Sequence, residues 1–514
     1  MSRVEKTLKN ATWGMISKIL NILIVFGSRT VFIYVLGNEY LGVSSLFTSI
    51  LTMLSLAELG FAEAITYNLY KPIAESDSEK ISAIMKLFKK VYTWVGIIIL
   101  VLGLLIVPWL GNLVKEVPNI KENITTIYIL YLINSAISYF YVYKSILLEA
   151  SQQKYMISIV NTIVCLVKTM LNCILLVIMK NFVIYLIIEI VGTLSYNILI
   201  SQIAQKKYPT ILGKNNSNLT TPEKKSIFKN VKAMFFYKVS GVVLTSTDNI
   251  IINSFINTVA VGIYSNYVLI TTQVYNIILQ IFNATTASIG NLVASESKER
   301  QYTVFNNMMF FSFTIYCICT TMLWVLINPF IQFVWGTQYL LPTGTVAIIL
   351  VNFYLTGMLT ILASFRTTNG LFVQGQYRPI MMAIINVVVS LALVNVMGLN
   401  GVILGTIIAR LCTQIWYDPY LVYKNVFHKK VREYFKINIK YSILIILCCV
   451  LGSVIANYIN IPNGMLELIL KAMISLAIPV TMISVLFHQT ESFHYFWNII
   501  KVYFDKIRKK LKKR

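Results

Sequence analysis

Long, mainly apolar runs recur along the whole chain, and they constrain its fold more than any other feature. The first run extends from Ala11 to Leu36, and runs of similar length follow at short intervals as far as His488. A helix needs about 20 apolar residues to cross the hydrocarbon core of a bilayer, whereas a tilted β-strand needs only about 10. Because backbone groups in lipid must be satisfied internally, runs of this length indicate helices. The sequence therefore predicts an all-α integral membrane protein.

The composition supports this assignment. With 57% hydrophobic and 12% charged residues, the chain has too little polar surface to cover a water-soluble globule of this length. The seven cysteines lie inside apolar runs and lack the spacing of a disulfide framework or a zinc site. The basic start is followed by an apolar stretch without a small-residue cleavage pattern, so we expect a retained first span. We expect no cofactor and no metal.

About fourteen transmembrane helices are expected when a window near 20 residues is moved along the chain. They are placed at about residues 11–36, 41–70, 83–112, 123–148, 155–179, 182–204, 229–255, 260–293, 301–328, 340–365, 379–397, 400–423, 437–458 and 464–488.

The distribution of lysine and arginine predicts that both termini are cytoplasmic. Of the 44 basic residues, 35 fall on flanks that this orientation places inside, and only Lys115, Lys121 and Lys180 fall outside. Cytoplasmic flanks of membrane proteins retain positive charge. The net charge of +24 is therefore explained by topology, and nucleic-acid binding is not expected.

A weak internal duplication indicates two related lobes. A shift of 220 residues places Lys18 on Lys238 and Gly42 on Gly262, and a shift of 224 places Lys154 on Arg378. Transporters use repeated lobes that rock around a central site. The predicted divisions are a six-helix lobe, a cytoplasmic linker, a second six-helix lobe, helices 13 and 14, and a basic tail. Their boundaries are 1–205, 206–228, 229–425, 426–489 and 490–514.

Within the tail, aromatic and aliphatic residues recur at helical spacing among eight basic residues. This pattern is typical of an amphipathic helix on an anionic inner leaflet, and a charged topology anchor is the alternative interpretation.

Charged side chains inside spans are the candidate functional residues, because such groups are costly in lipid and usually face a cavity or a partner. They are Lys18, Arg29, Glu58, Glu63, Lys168, Glu189, Lys238, Asp248, Arg410, Asp418, Glu467 and Lys471.

The first span has a predicted cationic face. Lys18 and Arg29 are eleven residues apart, close to three helical turns, so they share one side of the helix. Lys238 occupies the matching depth in the seventh span, and Asp248 aligns next to Arg29. A wet cleft with this lining could bind a pyrophosphate, while Asp248 exchanges a proton or holds a cation.

Structural roles remain open for the same residues. Lys18 is close enough to the inner surface to snorkel, and Arg29 can form a pair with Asp248. Glu58 is, with Asp248, a candidate for ion coupling; either Glu58 or Glu63 could line the cleft, or both could face the cytoplasmic vestibule. Glu467 and Lys471 are four residues apart, and we expect them to neutralise each other on one helix.

Several segments resemble the polysaccharide repeat-unit flippases of Wzx type, in the multidrug/oligosaccharidyl-lipid/polysaccharide exporter superfamily. The resemblance lies in the following segments: TWGMISKILNILIVFGSRTVFIYVLGNEYLGVSSLF, AELGFAEAITYNLYKPIAESDSEKI, TSTDNIIINSF, GQYRPIMMAIINVVVSLAL and GLNGVILGT. The combination of ELG, a following K-P with an acidic loop, and T-D-N-I-I-I favours the flippase branch.

The resemblance implies a function. It implies a secondary transporter, not an enzyme, that flips undecaprenyl-pyrophosphate-linked oligosaccharide across the bacterial cytoplasmic membrane for capsule, exopolysaccharide or O-antigen assembly. Membrane lipids, H⁺ or Na⁺, and polysaccharide polymerase and export proteins are the implied partners. Related lipid II flippases place arginines in a central cavity. The matching position is Arg29, with Lys18, Lys238 and Arg410 as additions.

Two other functions remain as alternatives. A cation-coupled multidrug antiporter has the same general plan but typically twelve spans, so helices 13 and 14 favour the flippase. A membrane-embedded glycan polymerase or ligase would need a long outer loop with basic or histidine residues. The three histidines, His428, His488 and His494, fall instead on the predicted cytoplasmic side.

Overall fold

The structure is a computed structural model that describes residues 3–55, 61–113, 119–213, 218–371, 373–375, 377–459, 461, 464–498 and 501. Every regular element in these ranges is a helix. The helices are α1 (Arg3–Leu36), α2 (Asn38–Leu54), α3 (Phe61–Ala74), α4 (Ser78–Ile106), α5 (Leu110–Leu113), α6 (Ile124–Ala150), α7 (Lys154–Met179), α8 (Phe182–Lys207), α9 (Pro209–Leu212), α10 (Thr221–Phe255), α11 (Thr258–Ser295), α12 (Lys298–Trp335), α13 (Thr343–Thr368), α14 (Arg378–Met397), α15 (Leu399–Cys412), α16 (Gln414–Val422), α17 (Arg432–Asn457) and α18 (Gly464–Phe487).

Eleven helical segments in the described parts of the chain are long and apolar enough to cross a membrane. The all-α membrane fold predicted from the sequence is therefore confirmed. The other three expected spans coincide with α2 followed by α3, with α10 and with α11. The helices α2 and α3 are individually shorter than the eleven segments, and α10 and α11 are not among them. The count of fourteen crossings and the orientation of the termini stay predictions.

The serine and threonine side chains of α2 form hydrogen bonds within their own helix. Thr48 donates to the carbonyl of Ser44 at 2.7 Å, Ser49 to that of Ser45 at 3.0 Å, and Thr52 to that of Thr48 at 2.7 Å. Each hydroxyl group is satisfied one turn back within its own helix. Serine and threonine can therefore occupy this helix without requiring water or another helix.

The chain divides into two compact units. Unit 1 comprises Met1–Gly262 together with Val394–Leu399, and unit 2 comprises Ile263–Leu393 together with Asn400–Arg514. Within unit 1, α6 packs on α4 and α8, α7 packs on α1 and α8, and α10 packs on α2 and α3. Within unit 2, α12 packs on α13, α17 and α18.

Two glycines that the 220-residue shift places in register lie against each other in unit 1. A Cβ atom at Gly42 would lie 2.0 Å from the carbonyl oxygen of Thr258, and one at Gly262 would lie 2.7 Å from that of Asn38. Both positions therefore require the absence of a side chain, because the backbones of α2 and α11 approach too closely for any other residue. Gly42 and Gly262, which the sequence repeat relates to each other, are thus also in direct contact.

The core of unit 2 is strongly aromatic. The rings of Phe313 and Tyr441 stack with centroids 3.9 Å apart, which fixes α12 against α17. The start of the predicted amphipathic tail, residues 491–498, is helical and packs on α12. There Ser492 donates to Asn307 at 2.7 Å, and the rings of Phe496 and Phe311 lie 4.9 Å apart. Residues 502–514, which carry most of the basic tail, lie outside the described residues.

All seven cysteines are free thiols, as their positions in apolar runs indicated.

Candidate functional site

The cationic face of α1 lies beside a polar interior in unit 1. The helix continues without interruption past both Lys18 and Arg29, and each side chain is partly buried. Phe32, about one turn after Arg29, packs its ring against that of Tyr185 of α8, with centroids 5.3 Å apart. The part of α1 that carries Arg29 therefore packs against α8.

A charged cluster joins α7 to α8 in the same interior. The Nζ atom of Lys168 lies 2.7 Å from Oε2 of Glu189, and Nδ2 of Asn172 donates to Oε1 of the same carboxylate at 2.7 Å. Gly192 provides the space for the lysine, because a Cβ atom there would lie 2.3 Å from its Cδ atom. Asn172 is buried, while the two charged side chains are each about one quarter exposed.

This cluster combines two residues that the sequence identified separately. Lys168 and Glu189 were both recognised as charges inside spans, but nothing in the sequence paired them across two helices. Together with Asn172 the pair forms a polar group that links α7 to α8. Arg29 of α1 and Asp248 of α10 are further charged side chains of unit 1, and arginine and lysine are the side chains that can hold a phosphate group.

The predicted ion-coupling residue Asp248 is buried in α10. Its neighbour Asn249 donates to Ser49 of α2 at 2.9 Å, which fixes this face of α10 against α2. The side chain of Lys238, although it lies on α10, and the whole of Glu58 lie outside the described residues. Their predicted roles remain untested.

Arg410 of α15 lines a polar cavity of about 420 Å³ within unit 2. Hydroxyl and amide groups from α11, α13 and α16 face the same space, and an arginine among such groups can hold a phosphate or a sugar hydroxyl. The main polar residues of the lining are Tyr275, Asn283, Thr356, Thr360, Ser364, Thr367 and Gln414.

A second cavity of unit 2 is apolar. It has a volume of about 530 Å³ and lies between α12, α13 and α17, where a hydrocarbon chain can pack without burying polar groups. Among its lining residues are Trp324, Leu350, Tyr354, Ile445, Cys449 and Val450.

Arg366 and Arg378, which the sequence assigns to the cytoplasmic flanks of the tenth and eleventh predicted spans, bond to one carboxylate. Arg366 lies in the last turn of α13, which continues to Thr368, and Arg378 begins α14. Nη1 of Arg366 donates to Oδ1 of Asp418 at 3.1 Å, and Arg378 bonds to the other oxygen of the same carboxylate. All three side chains are buried, so these arginines form an internal ionic cluster.

Asp418 was identified from the sequence as a charge inside a span, whereas its two arginines were not recognised as partners. In contrast, the predicted pair of Glu467 and Lys471 is confirmed as an ion pair on α18.

Among the described residues, no group of three histidine, cysteine, aspartate or glutamate side chains is arranged to hold a metal ion.

A structure of the lipid II flippase MurJ in an inward closed conformation is 15% identical, has a TM-score of 0.64, and is matched over 93% of this chain and 98% of that chain. An inward-facing MATE multidrug transporter of the MOP superfamily is 15% identical, with a TM-score of 0.60 over 79% of this chain and 94% of that chain. The MATE multidrug transporter DinF-BH gives 15% identity and a TM-score of 0.60, over 84% of this chain and 98% of that chain.

These likenesses establish the fold of the MOP-superfamily transporters for this multi-pass membrane protein. A comparison with curated proteins gives no match. The family model described as "Polysaccharide biosynthesis protein" matches residues 7–289, which is more than half of the chain. The match covers all of α1–α10 except the first residues of α1, and with them Arg29 and the charged cluster of α7 and α8. The chain therefore belongs to the polysaccharide biosynthesis protein family.

Proposed function

We propose that this protein is a flippase that moves an undecaprenyl-pyrophosphate-linked oligosaccharide from the inner to the outer leaflet of a bacterial cytoplasmic membrane. The flipped oligosaccharide would serve capsule, exopolysaccharide or O-antigen assembly, together with polymerase and export proteins. The observation that carries the proposal is the match of residues 7–289 to the polysaccharide biosynthesis family, a region that contains Lys18, Arg29 and the pair of Lys168 and Glu189.

The chemistry of the substrate fits this arrangement. A pyrophosphate is an anion for which arginine and lysine provide charge-assisted hydrogen bonds. Arg29 is the principal candidate, with Lys18, Lys238 and Arg410 as additional contacts. The apolar cavity of unit 2 suits a polyprenyl chain, and the polar cavity around Arg410 suits a hydroxylated or phosphorylated group.

A multidrug antiporter is the second candidate, because MATE transporters share the fold. The flippase is favoured by the share of this chain that each solved structure matches. The MurJ structure matches 93% of this chain, whereas the MATE structures above match 79% and 84%. The additional helices α17 and α18 fit a protein with more than twelve spans. A polymerase or ligase has no supporting group of side chains in the described residues.

The direct test measures the transfer of undecaprenyl-pyrophosphate-linked sugar between leaflets in vesicles that contain the full chain. We expect Arg29→Ala to slow transfer by at least about tenfold, and Arg29→Lys to retain part of the rate. The matched control is Arg300→Ala, which removes an exposed arginine at the start of α12. Wild-type transfer in Arg29→Ala would refute the role of Arg29, and the absence of transfer by the wild type would refute the flippase.

We propose that an ion gradient drives the transfer and that Asp248 participates in coupling. Its carboxylate is buried on a helix of unit 1 and can carry a proton or a cation. In Asp248→Asn vesicles, an imposed H⁺ or Na⁺ gradient should no longer accelerate transfer, although exchange without a gradient should persist. Retained acceleration would exclude Asp248 and leave Glu58 as the remaining candidate.

We also propose the orientation of the chain in the membrane and the boundaries of its two lobes. Both termini are placed in the cytoplasm, with six-helix lobes at 1–205 and 229–425. Single-cysteine labelling from outside should modify a cysteine introduced at Lys121 and leave one at Lys430 unmodified. The reverse pattern would invert the topology.

A further inference from the structure

The C-terminal half of α3 exposes a face that contains tyrosine and charged residues. Tyr67, Tyr70 and Lys71 of α3 are exposed, whereas Leu69 between them is fully buried. Glu75 directly follows the helix and is exposed as well. The tyrosines are 67% and 51% exposed, respectively. This face of α3 therefore presents two aromatic rings outward instead of packing them into unit 1.

Another exposed helix face of the same unit has a different composition. The exposed face of α7 carries aliphatic residues, among them Ile163, Val167 and Ile174. Aliphatic side chains suit hydrocarbon, whereas tyrosine combines an apolar ring with a polar end. The exposed face of α3 is therefore suited to a ligand that is partly apolar and partly hydroxylated.

The two rings border a cavity of about 360 Å³ that is lined only by residues of unit 1. Its lining consists of Tyr67, Asn68, Tyr70, Lys71, Pro72, Glu75 and Lys80. The cavity is thus large enough for part of an oligosaccharide, within the size range of small-molecule pockets.

Each lysine of this cavity lies beside a carboxylate. Nζ of Lys71 lies 3.8 Å from a carboxylate oxygen of Glu75, and Nζ of Lys80 lies 2.8 Å from one of Glu223. These two lysines and two carboxylates carry no net charge together, so they do not favour an anion. The cavity therefore favours a neutral ligand with many hydroxyl groups. Its hydroxyl groups would bond to the amide and charged side chains, and its C–H face would pack on the aromatic rings.

We propose that this cavity binds the oligosaccharide of the lipid-linked substrate, separately from the basic residues that hold the pyrophosphate. The proposal rests on the proposed function. Tyr67 and Tyr70 stack on the apolar faces of sugar rings, whose C–H groups are attracted to the negative faces of the aromatic rings. Asn68 and the two ion pairs provide donors and acceptors for hydroxyl groups.

The internal duplication provides an independent argument. The 220-residue shift places Tyr67 on Ala287, Tyr70 on Gly290 and Lys71 on Asn291. If the tyrosines served only to anchor a helix end at the membrane surface, the second copy would need the same anchors. Their presence in one copy indicates a task that only unit 1 performs.

The test compares two ligands on the full chain in nanodiscs. One ligand is the undecaprenyl-pyrophosphate-linked oligosaccharide pool extracted from the source cells, and the other is undecaprenyl pyrophosphate without sugar. Binding is measured for Tyr67→Ala, Tyr70→Ala and Tyr67→Phe. The control is Tyr34→Ala, which removes an equally exposed tyrosine, 68% accessible, from α1.

We expect each alanine variant of the cavity to bind the sugar-bearing lipid about tenfold more weakly, with unchanged binding of the sugar-free lipid. Tyr67→Phe should retain most of the affinity, because it keeps the ring. Equal weakening for both lipids, as expected of membrane anchors, or no weakening at all would overturn the glycan site. A wild type that binds neither lipid would instead overturn the proposed function, and the glycan site with it.

Discussion

Equivalent helix ends in the two units hold a cation in different ways. In unit 1, Lys144 near the end of α6 donates to Ser201 at 2.6 Å and to Gln205 at 3.3 Å, both on α8. In unit 2, Arg366 near the end of α13 donates to Asp418 on α16. A shift of 222 residues, between the two shifts found in the sequence, relates Lys144 to Arg366.

The two helix ends differ in the charge of the groups that bond the cation, and therefore in how much stability depends on a single charge. The neutral partners in unit 1 satisfy the lysine without burying an ion pair. In unit 2, a buried carboxylate bonds two buried arginines, so each ion depends on the others. The helix end of unit 2 should therefore be sensitive to the loss of a single charge, and that of unit 1 should tolerate it.

The largest effect is expected for Asp418→Ala. This change leaves two buried arginines without their carboxylate, and breaking a buried ion pair in this way costs about 3–5 kcal/mol. Thermal unfolding of the purified protein in detergent should show a large decrease in the apparent midpoint. The combined replacement Arg366→Met, Arg378→Met and Asp418→Leu should recover part of the loss, because it removes the unpaired charges. A small effect of Asp418→Ala would contradict the comparison.

A smaller effect is expected for Glu189→Gln in the interior of unit 1. The amide keeps the shape and one acceptor, but Lys168 loses its charged partner. A hydrogen bond to a charged group contributes about 1.5–3 kcal/mol, and the partial exposure of both side chains reduces the loss toward the lower end. Unfolding of Glu189→Gln and Lys168→Met, alone and combined, would measure the pair. If the two losses simply add, the pair is not coupled.

The sequence could predict features that a single helix determines. The pairing of Glu467 with Lys471 follows from a spacing of four residues on one helix, and the shared side of Lys18 and Arg29 follows from the helical repeat. The membrane helices themselves were predictable because lipid permits so few backbone arrangements.

The interhelical pairs were not predictable in the same way. Arg366 and Asp418 are separated by 52 positions, and Lys168 and Glu189 by 21. Whether two such residues meet depends on the rotation and depth of separate helices, which packing determines and local periodicity does not. The positive charge of Arg366 and Arg378 was therefore attributed to topology alone.

The next prediction concerns Lys144 in unit 1. Lys144→Met should destabilise the protein by only about 0.5–1.5 kcal/mol, because its two partners are neutral and can rebond to each other or to water. Ser201→Asp should move this site toward the arrangement of unit 2, because Ser201 is buried and the new carboxylate would depend on Lys144, so Lys144→Met should cost more in the Ser201→Asp background than in the wild type. Both changes are measured by thermal unfolding. A loss for Lys144→Met as large as that for Asp418→Ala would show that the two helix ends are not energetically different.

The smallest effect is expected at an exposed ion pair of unit 1. Hydrogen bonds from Lys80, and then from Thr220, lower the pKa of Glu223 from 4.5 to about 2. Since the folded-state pKa is depressed, the stabilisation is complete above about pH 4.5 and is lost as the pH falls through about 2. Both side chains are more than one third exposed, so screening by solvent keeps the gain small.

The unfolding midpoint of Glu223→Gln should therefore lie slightly below that of the wild type at neutral pH, and the two should converge in acid. Addition of about 0.5 M salt should also reduce the gap, because salt screens exposed charges but hardly affects the buried cluster at Asp418. A gap that widened in acid, or one that salt left unchanged, would show that this pair behaves like a buried one.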